Sequence, residues 1–475
     1  MENERRIKKL IAKEKIVVGR TPGGEEIISL TIQGKNKVFI LDYKDINIPF
    51  KILWKEFFNE TLSRKQMMEI YDMLKMEAFS NQLSHERENR VYNFDNRYII
   101  YDLNCEEMAV WIHPGEWRID ESPIFCFKRT RNFKNQIYPD PSADSTDILS
   151  YIEKHFNIRN EEDIVLLTIY IVSCFFGMNI NYPMLSILAE KGAGKSDALR
   201  KIEELVDPKN SGLCALPKSA DGLSLRLSNS YFTAFDNLSH LSQAVSDKLC
   251  MAITNGTDTD RELYMSTDER MVNIHSIIGI TSVSEVVTTS DLCDRTIRIR
   301  LERLSSDEIK TEQELWEEFL HDKPKMLGAI FDTVALVLND KEELSVKSRI
   351  RMADWQALAL KIGKALGFRP TSVNKILLNN RIEMNIETVE NNPSAICLVH
   401  LMKRKETMEC TPSECLNAIR KQARKLGISS ILLPKDASRL TRQLEKVKSE
   451  LENSYGIIFS RERGRERRYI IRKKV

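Results

Sequence analysis

The chain has 475 residues, 42% hydrophobic and 29% charged, and its 71 Lys/Arg against 69 Asp/Glu give a net charge of +2. That length predicts two to four domains around a large core, and the composition excludes collagen-like, coiled-coil-only and wholly disordered chains. The charge is uneven: Thr411–Val475 hold 17 Lys/Arg and 7 Asp/Glu, a net of +10, which leaves −8 on the first 410 residues. A basic terminal unit on an acidic body points to nucleic acid or a membrane surface, against the plainer reading of a solvated lysine-rich end.

The start, Met1-Glu2-Asn3-Glu4-Arg5-Arg6, has no apolar h-region, so no signal peptide is expected. Short β-type runs follow at Lys15–Gly19, Ile27–Ile32 and Val38–Leu41, then a helical stretch near Trp54–Phe79. Strands return at Tyr98–Asp102, Met108–His113 and Glu116–Ile119, with Pro114-Gly115 as a hairpin turn. Pro123, Pro139 and Pro141 mark a boundary, so residues 1–147 read as a β-rich domain. The nine cysteines are scattered and form no CxxC, which removes zinc and disulfide frameworks and fits free thiols in a reducing cytoplasm.

Residues 148–345 alternate helical and strand patterns, as a parallel α/β sheet requires. Ile164–Ala189 carry no charge, but Gly177, Asn179, Asn181 and Pro183 divide them into a buried helix and a buried strand, Met184–Ala189, rather than a membrane span. That strand runs into Ala189-Glu190-Lys191-Gly192-Ala193-Gly194-Lys195-Ser196, followed by a helical pattern from Asp197. The octet matches the phosphate-binding P-loop except that Ala189 replaces the first glycine. Backbone amides from Glu190 to Asp197 would cradle phosphate oxygens, Lys195 would reach the β- and γ-phosphates, and the Ser196 hydroxyl would face Mg²⁺. A second apolar strand, Tyr231–Phe235, ends in Asp236-Asn237, where an α/β sheet presents its ligand groups. A third, Ile277–Thr281, carries Thr281 and Ser282 at its tip, and Asp291-Leu292-Cys293-Asp294-Arg295 precedes a fourth. Arg295 either reaches a nucleotide in an adjacent subunit or pairs with Asp291 or Asp294.

Residues 346–405 read as a helical lid or linker, interrupted by Asn391-Asn392-Pro393. In the basic unit, 406–475, Thr411-Pro412-Ser413-Glu414 is a capping-box pattern opening a helix that stops near Gly427. A second helix begins near Asp436, with Leu440, Leu444, Val447 and Leu451 on one face and Arg439, Arg442, Gln443 and Lys446 on another. Two strands, Gly456–Ser460 and Arg468–Arg472, flank a loop holding Arg461, Arg463, Arg465 and Arg467. This pattern predicts a winged helix with a recognition helix and a basic wing on DNA, a protein-interaction winged helix being the alternative.

The order of glycine loop, Phe235-Asp236-Asn237-Leu238-Ser239, Asp291–Arg295, helical lid and basic terminal unit resembles the AAA+ replicative helicases of phages and mobile genetic elements, whose core is similar to MCM and superfamily 3 helicases. The resemblance covers roughly 148–475 and leaves 1–147 unassigned. It implies an AAA+ P-loop core with ATP and Mg²⁺ on Lys195, Ser196 and Asp236, with Thr281 at the sensor-1 position. Arg295 becomes a trans-acting arginine finger and Arg351 a candidate for sensor 2. Asn237 stands where many relatives carry a glutamate, and asparagine can orient a water but cannot take its proton. The run from Gly256 to Val272 reads as a hairpin; relatives place one in a central channel, where Arg261 and Arg270 would touch phosphates, although its acidic residues also suit an ordinary surface hairpin. The implied protein is a ring-forming, hexameric, cytoplasmic DNA helicase. It would hold single-stranded DNA in its channel and duplex at the winged helix, work with a primase or polymerase, and need no membrane. An ATP-dependent loader or an origin-binding initiator is the alternative.

Overall fold

The computed structural model describes residues 2–474 apart from 218, 255, 262–268, 304–309, 345, 347 and 464–466. It is a mixed α/β fold with a β-rich N-terminal region and a helical, winged-helix-like C-terminal unit. The N-terminal region has two parts with different cores. Antiparallel strands β1 (Ile16–Arg20), β2 (Glu26–Ile32) and β3 (Lys35–Ile40) pack with helices Glu2–Ala12, Tyr43–Phe58 and Arg64–Ser80 around Leu10, Ile28, Leu30, Phe50, Trp54 and Ile70. The single helical stretch expected near Trp54–Phe79 is thus two helices. Asn59 ends the first in the left-handed region, and a Ser63/Gln66 capping box starts the second.

The antiparallel meander β4 (Val91–Phe94), β5 (Tyr98–Cys105), β6 (Met108–His113) and β7 (Glu116–Glu121) instead sends Val91, Ile99, Tyr101, Val110 and Ile112 into the central core. It is stapled there by a buried ion pair. Arg90 Nε bonds Asp207 Oδ1 at 3.0 Å, and Asp207 Oδ2 accepts from the amides of Tyr231 and Phe232 at 3.1 Å each. One carboxylate therefore ties the meander to the end of helix Lys195–Val206 and to the start of the next core strand.

The central sheet is parallel. Its strands are β8 (Met184–Leu188), β9 (Phe232–Leu238), β12 (Ile277–Ser282) and β13 (Thr296–Arg300), in the order β13-β8-β12-β9. The hairpin β10 (Thr257–Arg261) and β11 (Glu269–Asn273) projects between β9 and β12 in the chain. Helix Glu161–Ser173, which opens with three acids and then takes up the first part of the uncharged stretch from Ile164, and helix Lys195–Val206 supply much of the sheet's cover. No helix among the described residues is long and apolar enough to cross a membrane. Gly279 lets the second helix approach: a Cβ there would lie 2.7 Å from Leu199 Cδ1 and 2.9 Å from Phe232 Cζ. Such contacts would force the helix, and the loop at its head, away from the sheet.

Helices Glu312–Asn339, Ala353–Ala365 and Pro370–Glu390 close the core. The last is pinned to edge strand β13: Asn380 exchanges hydrogen bonds with the Arg298 backbone at 2.6 and 3.1 Å, and Glu387 pairs with Arg298 at 2.5 Å and with Arg300. It also packs against helix Lys448–Tyr455 of the C-terminal unit. That unit, with helix Pro393–Met402 included in its core, adds β14 (Thr407–Cys410), β15 (Ile457–Arg463) and β16 (Arg467–Lys473), ordered β14-β16-β15.

Candidate nucleotide site and nucleic-acid interface

The glycine loop leaves β8 and turns directly into helix Lys195–Val206. Gly192 and Gly194 have φ of +83° and +80°, conformations that only glycine adopts without strain, and nothing lies within 4 Å of where their side chains would begin. The loop face is thus open beside a helix N-terminus, the arrangement that suits an anion. Lys195 is nearly buried, and its Nζ donates to the Glu190 carbonyl at 2.8 Å. Burial lowers its pKa against the pull of Asp236.

Three elements converge beside this lysine. Ser196 Oγ donates to Asp236 Oδ1 at 2.9 Å, and Thr281 Oγ1 donates to the same oxygen at 2.5 Å. The Asn237 amide donates to Thr281 Oγ1 at 2.8 Å. The cause is a register shift between β12 and β9. Ile280 pairs with Phe235 and Ser282 with Leu238, so Asp236 and Asn237 together face Thr281. Asn237 takes a positive φ of 56°, which asparagine tolerates better than most residues. This bulge turns both polar groups out at the carboxyl edge of the sheet. Ser282, also read above as a tip residue, is fully buried.

The residues fit a nucleotide with Mg²⁺. An open cradle of amides, a lysine beneath it, and a serine hydroxyl against a carboxylate are the donor set that such a pair needs, because Mg²⁺ takes one or two protein oxygens and completes its shell with phosphate and water. A cleft of about 480 Å³ adjoins the loop at Ala193 and Gly194, with Phe156, Ile158, Ile164 and Leu315 among its apolar lining and Lys154, Arg159, Asp197 and Lys201 among its charged lining. A pocket of such mixed walls beside a helix N-terminus can take a ligand with both an apolar and an anionic part. These residues carry no motif; only folding puts 156–158 beside the loop.

Arg295 lies elsewhere. Thr296 pairs with Met184 at the start of β8, whereas the loop leaves β8 after Leu188, which pairs with Arg300. At ~3.3 Å per residue, Arg295 stands about 15 Å from its own loop, at the opposite edge of the sheet. Its side chain is 12% exposed and ion-paired with Asp291. Arg351 joins the same group, 2.8 Å from Asp291, and Arg381 is 2.9 Å from Asp294. Both candidate arginines therefore share one edge, away from the chain's own glycine loop.

In the hairpin, register pairs Arg261 with Glu269 and Arg270 with Asp260; its tip lies outside the described residues. In the C-terminal unit the Thr411/Glu414 capping box forms, and Gly427 takes a φ of +69° just beyond helix Pro412–Lys425. Leu440, Leu444, Val447 and Leu451 are buried, and Arg439, Arg442 and Lys446 are exposed on helix Ala437–Lys446. Gln443 departs from the expected basic face. Its side chain accepts from Ser394 Oγ at 2.7 Å and so docks on helix Pro393–Met402. Thr441 Oγ1 bonds the Tyr469 hydroxyl, fixing the helix against β16. Arg463 closes β15 with its side chain undescribed, and Arg465 lies outside the described residues.

Residues 150–382 match the family model of the actinomycete integrative conjugative element replication protein, and residues 395–475 match that of the AICE RepA C-terminal domain. No curated protein matches the chain. Among solved structures, apo forms of the C-terminal region of NrS-1 align over 98% of both chains at 12–14% identity, with TM-scores of 0.42–0.44. The two family matches make the chain a replication protein of the kind carried by mobile genetic elements.

Proposed function

We propose that this protein is an AAA+ ATPase that unwinds DNA as a ring, with one active site shared between two subunits. The carrying observation is the meeting of Ser196, Asp236, Thr281 and Asn237 beside the Lys195 loop. Strand β9, which carries Asp236 near its carboxyl end, is separated from β8 by the Thr281 strand β12, which lets one hydroxyl touch the acid. Bound ATP with Mg²⁺ supplies the anhydride whose hydrolysis drives movement. Lys195 and the loop amides would hold its phosphates, and Ser196 and Asp236 would hold the metal side. Asn237, exposed and aimed by the bulge, orients a water without taking its proton. The edge bearing Arg295 and Arg351 is too far from its own loop to act there, so both arginines suit a neighbour's nucleotide.

Strand displacement from a fluorescent forked DNA with ATP and Mg²⁺ tests the reading. Wild type should unwind and Lys195→Ala should not; a folded wild type that hydrolyses ATP but separates no strands would remove the helicase claim. A loader that holds ATP in order to assemble on DNA is the second reading, favoured by Asn237 where a general base would stand.

A further inference from the structure

The C-terminal unit exposes an apolar knob between two of its helices. Between helices Pro412–Lys425 and Ala437–Lys446 the chain makes one 3-10 turn, Ser430–Leu432. Ile431 is 90% exposed, the most exposed large apolar side chain among the described residues, and Leu432 is 59% exposed, while the next residue, Leu433, is buried.

The turn is held in place. The Leu432 and Leu433 amides donate to the Ser429 and Ser430 carbonyls at 3.1 and 3.2 Å, and the Ile428 amide to Ala423 O at 2.9 Å. Arg420 donates to the Pro434 and Lys435 carbonyls at 3.2 and 2.9 Å. The knob is therefore presented by a braced loop rather than left over from a loose one. Its surroundings are cationic: Arg424 and Lys425 before it, and Lys435, Arg439 and Arg442 after it, are all exposed. The nearest acid, Asp436, accepts the Arg439 amide at 2.8 Å as a helix cap and pairs with the Arg439 side chain.

We propose that Ile431, backed by Leu432, is a wedge that enters the base stack of duplex DNA held by this unit. Cations on both sides would seat the phosphates, and a branched aliphatic side chain between them would unstack a single base step, as apolar wedges do in other DNA-bending proteins. The turn leads directly into the exposed basic face of helix Ala437–Lys446, so both engage the same duplex. The inference rests on the reading of the C-terminal unit as a duplex-binding winged helix.

The test uses the full chain and duplexes carrying 2-aminopurine at successive positions inward from a blunt end. Wild type should raise fluorescence at one or two positions. The double variant Ile431→Ser/Leu432→Ser, which changes only exposed side chains, should bind with affinity within about 10-fold of wild type and lose that rise. Arg439→Ala/Arg442→Ala should lose binding itself. A double variant that keeps the fluorescence rise overturns the wedge and leaves the winged helix standing, as does wild-type binding with no rise at any position. A wild type that binds no duplex overturns both. Ile431-dependent binding to phosphatidylserine vesicles without a duplex signal overturns the wedge in favour of a membrane surface.

Discussion

Thr281→Val is the sharpest perturbation of the site. Valine keeps the shape of the side chain but removes an oxygen that donates to Asp236 at 2.5 Å and accepts the Asn237 amide at 2.8 Å. A hydrogen bond to an ionised carboxylate contributes about 1.5–3 kcal/mol, and a backbone amide left without a partner costs about 1–3 kcal/mol where water cannot replace it. Asn237 is exposed, so water recovers some of the second loss. If the first is expressed fully in the reaction barrier, hydrolysis slows by about 10–150-fold, at 1.36 kcal/mol per decade. Nucleotide binding, held by the loop and Lys195, should change by less than about threefold, because the lost oxygen faces the acid and not the cradle. Phosphate release at saturating ATP reads the first quantity, anisotropy of a fluorescent nucleotide the second, and a thermal melt checks the fold. Thr281→Ser keeps the hydroxyl and should retain most of the rate. A folded Thr281→Val protein that hydrolyses ATP at the wild-type rate would refute the claim that this bulge organises the chemistry.

Three further outcomes follow from other regions of the molecule. Lys195→Ala and Arg295→Ala should each abolish hydrolysis alone, yet their mixture should regain a fraction of it, since the arginine-deficient loop then meets a neighbour with Arg295 intact; a mixture as inactive as its components would place Arg295 outside the site. Arg90→Ala leaves Asp207 charged, wholly buried and short of one partner, so chemical denaturation should show a loss of about 3–5 kcal/mol, and a loss under about 1 kcal/mol would mean that the staple is relaxed by water. Burial, only partly offset by the Arg300 amide, pushes the Asp163 carboxyl up to about 6. Its raised pKa adds stability below the unfolded value near 3.8, and this is lost as pH rises through about 6, by at most about 3 kcal/mol. Asp163→Asn should therefore melt higher than wild type at about pH 7 and lose that advantage at about pH 4; an equal advantage at both pH values would show another cause.

The features of this fold that were legible in the sequence are those whose cause is local. The glycine loop needs positive φ at Gly192 and Gly194, and only glycine supplies it cheaply, so the chemistry is written in the residue names. The Thr411/Glu414 box is equally local and forms as its spacing implies, whereas the single helix expected to carry Leu440, Leu444, Val447 and Leu451 on one face breaks at Val447 into Ala437–Lys446 and Lys448–Tyr455, with all four residues still buried. Helix Glu2–Ala12 leaves little apolar periodicity in the sequence because only Ile7 and Leu10 are buried among its charges. The Ser63/Gln66 box was present but lay inside a stretch read as continuous. The meeting of Thr281 with Asp236 depends on strand register across 45 residues, which no window along the chain contains. Gln443 shows the same limit. It sits at the border of a basic face, and what decides its direction is Ser394 on a different helix.

Helix Pro370–Glu390 has a mechanical consequence. It is 21 residues long, about 31 Å at 1.5 Å per residue. Strand β13 grips it at Asn380 and Glu387, and the C-terminal unit rests against it through helix Lys448–Tyr455. Grip and load share the second half of this rod, because Glu450 and Tyr455 of that helix lie within electrostatic reach of Arg381 and Glu390. The rod therefore works as a splint and not as a lever: a shift of the edge strand that has Arg295 at its foot is handed to the unit bearing the basic helix without amplification.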